Sequence, residues 1–88
     1  MTETEFLADL AARGYGEAQV KSYPPHTDGP LHTHDVAVRL LVLDGAFTLA
    51  EPDRSTTYHP GEVCELAAGA RHAEQAGADG ATILLAKR

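Results

Sequence analysis

From Tyr15 onward the chain is broken by turn-forming residues about every 8–12 positions, and that rhythm leaves few folds open. The breaks are Pro24-Pro25, Asp28-Gly29-Pro30, Asp44-Gly45, Pro52-Asp53, Pro60-Gly61, Gly69 and Gly77-Ala78-Asp79-Gly80. Between them lie short runs rich in Val, Thr, Tyr, Leu and Ile, with no second helical pattern. Such a chain is all-β, an antiparallel sandwich or barrel. Strands are expected near 17–23, 30–34, 36–43, 46–51, 56–59, 62–66, 72–76 and 81–86. Asp44-Gly45 reads as a hairpin turn between two of them, and Gly77 to Gly80 as another.

The first fourteen residues differ and read as a helix. Thr2 and Glu5 fit a capping box, in which each side chain satisfies the other's backbone N–H. Glu3 and Glu5 suit the positive end of the helix dipole. Phe6, Leu7, Leu10 and Ala11 recur at helical spacing on one face, and Arg13-Gly14 makes a C-terminal stop. The expected organisation is one domain, 1–88, with helix 1–14 and barrel 17–86. Eighty-eight residues bury only about 60–65% of the surface of the unfolded chain, so stability is modest.

Two strands are apolar on both faces: Val36 to Leu43 and Ala81 to Ala86. A sheet wet on one side alternates apolar with polar, so these strands need two covers. The barrel interior is one. A fourteen-residue helix looks too small to be the whole of the other, and a homodimer packed on the outer sheet face is expected.

Thirteen acidic against seven basic residues give a net charge of −6, which argues against nucleic acid as a partner. No apolar run approaches the roughly 20 residues that span a bilayer. The acidic start lacks the features of a signal peptide, and a lone cysteine, Cys64, makes no intrachain disulfide. A cytoplasmic location is expected.

The five histidines matter by their placement. In His32-Thr33-His34, residues i and i+2 of a strand project to one side, so two imidazoles reach one point as a transition metal requires. Gly45 follows eleven residues after His34, and Pro60-Gly61, Gly69 and His72 follow in turn. This pattern resembles the two motifs of the cupin family: His32, His34 and Gly45 match the first, and Pro60, Gly61, Gly69 and His72 the second. The resemblance covers roughly residues 17 to 86 and implies a small cupin-type antiparallel β-barrel with one N-terminal α-helix. It also implies metal ligands His32, His34 and His72. The first motif's usual glutamate falls on Val38, which cannot bind a metal, so the three-histidine-one-glutamate set does not carry over.

Three neutral imidazoles suit a divalent transition metal, whether Fe, Zn, Ni, Mn or Cu, and leave positions open for a small-molecule ligand. Glu74, two residues after His72, points the same way if 72–76 is a strand; it is the candidate fourth ligand, acceptor or catalytic base. Tyr58 and Cys64 are weaker acid–base candidates. Two functions stay open: a metal-dependent enzyme such as a dioxygenase or isomerase, and a non-catalytic small-ligand-binding or sensing module. The histidines can also be polar residues at the barrel mouth without metal. His26 and His59 fall in turns and are expected at the surface, Cys64 in the core beside Leu66. Arg39 is a surface or interface cation, or a group for an anionic ligand if it turns inward.

Overall fold

Two long, bent strands carry the architecture. In the computed structural model, which describes residues 1–88, α1 (Glu3–Ala12) is followed by β1 (Gln19–Tyr23), β2 (Val38–Glu51), β3 (Arg54–Tyr58), β4 (Val63–Leu66) and β5 (Ala73–Lys87). All pairings are antiparallel. The sheet runs β1-β5-β2-β3, and β4 joins the first half of β2.

The strands expected at 36–43 and 46–51 are one strand, and so are those at 72–76 and 81–86. Asp44-Gly45 is not a hairpin turn. The β2–β5 register shifts between Val42 and Asp44 and again between Gly45 and Phe47, so both strands bend there and continue. Gly45 and Gly80 have φ of +76° each. A Cβ on Gly45 would collide with the Gly80 carbonyl, and one on Gly80 would lie 2.7 Å from the Tyr23 oxygen. Glycine is required at this corner because the backbones touch. Pro52-Asp53 does close a hairpin, between Glu51 and Arg54. The strand expected at 30–34 is reduced to one bridge, His32 with His72.

Alternation along the bent strands sorts the apolar residues into two layers. Val38, Leu40, Val42, Phe47, Leu49, Ile83 and Leu85 point inward, with Cys64 and Leu66 from β4, and form the barrel core. Leu41, Leu84 and Ala86 point outward and pack with Phe6, Leu10 and Tyr15. Both expected covers are therefore present within one chain. Helix α1 suffices because only these few outward side chains need covering. Its buried stripe is Phe6 and Leu10; Leu7 is 45% exposed, and Ala11 is exposed as well, so neither belongs to that stripe.

The capping box is present: Glu5 N–H donates to Thr2 Oγ1 (3.1 Å) and Thr2 N–H to Glu5 Oε1 (2.8 Å). Arg39, on the outer face of β2, donates to Asp9 of α1 at 2.7 Å and lies 3.6 Å from Glu65. It anchors the helix and does not face the barrel. No helix is long and apolar enough to cross a membrane.

Candidate metal centre

His32 and His72 exchange two backbone hydrogen bonds, His32 N–H to His72 O (2.9 Å) and His72 N–H to His32 O (3.0 Å). This bridge sets the two segments in register at the mouth of the barrel. Gly69, in the left-handed region at φ +80°, donates its N–H to His34 O (2.8 Å) and ties the second motif to the first. The three rings converge, with centroids 4.5 to 5.1 Å apart.

Two of the rings are oriented in the same way. His32 Nδ1 lies 2.7 Å from Pro30 O and His72 Nδ1 3.0 Å from Ala70 O. A carbonyl only accepts, so each Nδ1 carries a proton and each Nε2 is the nitrogen left to face the cluster. That is how metal-binding histidines are held.

Glu74 completes the cluster. Period-two geometry at the start of β5 puts its side chain on the His72 side. Its carboxylate lies 3.1 Å from His32 Nε2, 3.5 Å from His72 Nε2 and 3.9 Å from His34 Nε2. All four donor atoms fall within 4.8 Å of one another. Two ligands each about 2.1 Å from one ion lie about 3.0–3.5 Å apart, so Glu74 already stands at ligand spacing from His32 and His72, and the wider pairs need only draw inward to close on a metal. His72 is 1% exposed, and its Nε2 is buried with no hydrogen-bond partner. A buried acceptor left unpaired costs about 1–3 kcal/mol, which a bound cation would remove. Burial, then the charges of His72 and His32, lower the proton affinity of His34, which favours the neutral form a metal needs.

The other singled-out residues lie elsewhere. His26 and His59 are exposed, and His59 N–H donates to Glu62. Cys64 is in the barrel core against Tyr58, and burial pushes its thiol up to about 11. Val38 stands buried on the cavity wall.

A cavity of about 240 Å³ opens beside His34 and Glu74. Val38, Leu40, Phe47, Ile83 and Leu85 make its apolar wall, and Gln19, Lys21 and Lys87 are its polar lining. Tyr23 also lines it, with its ring 5.4 Å from that of Phe47. Burial, then the Glu74 charge, push the Tyr23 phenol up to about 12, so it remains a proton-bearing donor at neutral pH. The sequence reading missed Tyr23, Lys21 and Lys87. The available signal for Lys21 and Tyr23 was their same-face spacing with Gln19 on one strand; Lys87, at the far end of β5, had none.

A small bent-strand barrel with three histidines and a glutamate at its mouth defines the class. The chain belongs to the cupin family, whose Cupin domain model matches residues 19–86. It is similar to a cupin-2 domain protein from Shewanella frigidimarina, with 20% identity and TM-score 0.70, over 81% of this chain and 69% of that one. A Rhizobium leguminosarum protein of unknown function is similar over 99% of this chain and 92% of its own, with 20% identity and TM-score 0.70. The cupin domain of Schizosaccharomyces pombe Cnp3 is similar at 12% identity and TM-score 0.71, over 80% and 50% of the two chains. At these identities the likeness is one of fold. No curated protein matches the chain.

Proposed function

We propose that this cupin holds one divalent transition metal through Nε2 of His32, His34 and His72 and a carboxylate oxygen of Glu74, and receives a small molecule in the adjoining cavity. The buried, unpartnered Nε2 of His72, 3.5 Å from Glu74, carries this reading. A nitrogen-rich donor set with one carboxylate suits Fe, Zn, Ni, Mn or Cu. Glu74 takes the part of the first-motif carboxylate lost at Val38 and offsets half of the ion's charge. When bound, such an ion supplies Lewis-acid or redox chemistry at its remaining coordination positions. The chain's own contribution is to orient two imidazoles through Pro30 and Ala70, to exclude water with the apolar wall, and to hold a proton on the Tyr23 hydroxyl. A lone, buried thiol is consistent with a reducing, cytoplasmic setting for this work.

The test is the metal content of protein purified without a metal-binding tag, together with thermal unfolding on adding zinc or manganese. One equivalent per chain and a raised melting temperature are expected. No metal above background and an unchanged melting temperature would overturn the proposal.

A further inference from the structure

The chain has two lysines, Lys21 and Lys87, and both line the cavity. The arginines are placed differently. Arg13 pairs with Asp9, Arg39 with Asp9 and Glu65, and Arg54 with Glu51. Arg88 donates to the Arg13 carbonyl and lies over the Tyr15 ring, and Arg71 is exposed and away from the cavity lining. Neither lysine lies within ion-pair distance of any carboxylate in the structure, although acidic residues outnumber basic ones thirteen to seven.

Strand register explains the placement. Lys21 is opposite Ile83, and Ile83 belongs to the inner core, so Lys21 lies on the inner face; Val20, opposite Leu84, lies on the outer one. Lys87 is opposite Val38, another inner-core residue with no charge to offer it. The Lys21 ammonium sits 5.0 Å from the centre of the Tyr23 ring, on the cavity wall. Lys87 and His34 line the same cavity.

Two unpaired ammonium groups, an apolar wall and a metal centre describe one ligand. We infer that the cavity takes a small carboxylate with an apolar body, its carboxylate held by Lys21 and Lys87 and its body lying against Val38, Phe47 and Leu85. This rests on the reading of the cavity as the small-molecule chamber beside the metal. A protein of net charge −6 repels anions in general, so a lining that sets two lysines against the single carboxylate of Glu74 selects for them at this one place. The volume, about 240 Å³, is below the roughly 300–1,000 Å³ of chambers for drug-sized ligands and fits a short chain or a single ring. The apolar wall beside the two ammonium groups suits a carboxylate on an apolar body better than a fully hydrated phosphate, which would lose its water against that wall.

The experiment titrates butanoate, hexanoate and phenylpropanoate into the full chain, metal-free and zinc-loaded, following binding by calorimetry and amide chemical shifts. Hexanamide, hexylamine and inorganic phosphate are the controls. At least one carboxylate should bind in both forms, more weakly as salt rises, with hexanamide and hexylamine far weaker. Lys21→Gln and Lys87→Gln should each weaken it about tenfold while leaving hexanamide binding unchanged, and Lys21→Gln should also leave zinc affinity unchanged. Carboxylates that bind no better than hexanamide, equal binding by the lysine variants, or tighter binding of inorganic phosphate would each overturn the inference. A chain that takes up zinc yet fails these tests loses this inference alone. One that passes them but takes up no metal loses the metal reading and keeps the carboxylate chamber.

Discussion

The His72 ring and the Glu74 carboxylate, two residues apart at the head of β5, face each other at 3.5 Å across the point toward which His32 and His34 also turn. Removing the carboxylate charge while keeping its shape tests what this pair does. Glu74→Gln should weaken zinc binding tenfold or more, and the melting temperature of the variant should respond correspondingly less to zinc. Equal affinity in parent and variant would leave the site resting on its histidines alone.

Metal affinity should also fall with acid. Each ring must be neutral to bind, and histidine ordinarily titrates near 6.5, so competition by protons sets in below about pH 6. In the metal-free chain the folded state holds His34 neutral to a lower pH than the unfolded chain does. The unfolded state therefore binds more protons, and His34's contribution to stability is full above the ordinary histidine value and is lost as pH falls from there through the lower folded value. Denaturant titrations across this range, with and without zinc, read both effects. A flat profile in both would refute them.

Much of this site was legible because its chemistry is local. The H-x-H pair, the turn before His72 and the i+2 position of Glu74 are each short-range patterns whose geometry follows from strand periodicity. The corner at Gly45 was not legible. Asp-Gly serves a hairpin turn and a bend within a strand equally well, because both need positive φ, and only the Gly80 backbone packed against Gly45 decides between them. The lysines were hidden for a related reason. In Gln19-Val20-Lys21-Ser22-Tyr23 the aliphatic residue points out, with Val20 63% exposed, while the charged one points in. The apolar-in rule fails there because the interior at that level is an open chamber.

That corner yields a graded stability prediction. Gly14 also has positive φ, +75°, but nothing lies within 4 Å of the Cβ position, so Gly14→Ala should cost about 1–2 kcal/mol, the strain alone. Gly45→Ala adds a backbone collision with Gly80 and should cost more than about 4 kcal/mol, enough to unfold most of a domain this small. Urea midpoints of the two variants check the order, and equal losses would contradict it.

Alkali should destabilise the chain through Cys64. Burial raises its thiol from 9.0 to about 11, so the folded state keeps a proton that the unfolded chain has released. Stability is full below pH 9.0, and up to roughly 2–3 kcal/mol is lost as pH climbs through the folded value. Cys64→Ala should flatten this decline, leaving the later contribution of Tyr23, whose phenol is pushed up to about 12. The native thiol should also react slowly with aromatic disulfides at neutral pH. Rapid labelling would mean that Cys64 is not held in the core.

We propose a homodimer on a different basis from the outward faces of β2 and β5, which α1 already covers. β1 is an edge strand that pairs only with β5, and Val20 on its outer face is exposed. A two-fold pairing of β1 edges would satisfy its open backbone groups and cover Val20. Light scattering at micromolar concentration should give twice the chain mass, and Val20→Lys should return the monomer. A parent chain of single mass would end this proposal.

Because β2 and β5 bend at Gly45 and Gly80 without ending, each runs from the surface that α1 covers to the pairing of Ala50 with Ala73 beside His72. The segment of β5 that seats Phe6 and Leu10 continues through covalent bonds to Ala73, next to His72. The helix-clad outer face and the histidine cluster are thus borne on one continuous strand. Packing beneath α1 becomes a determinant of how faithfully the imidazoles hold their aim.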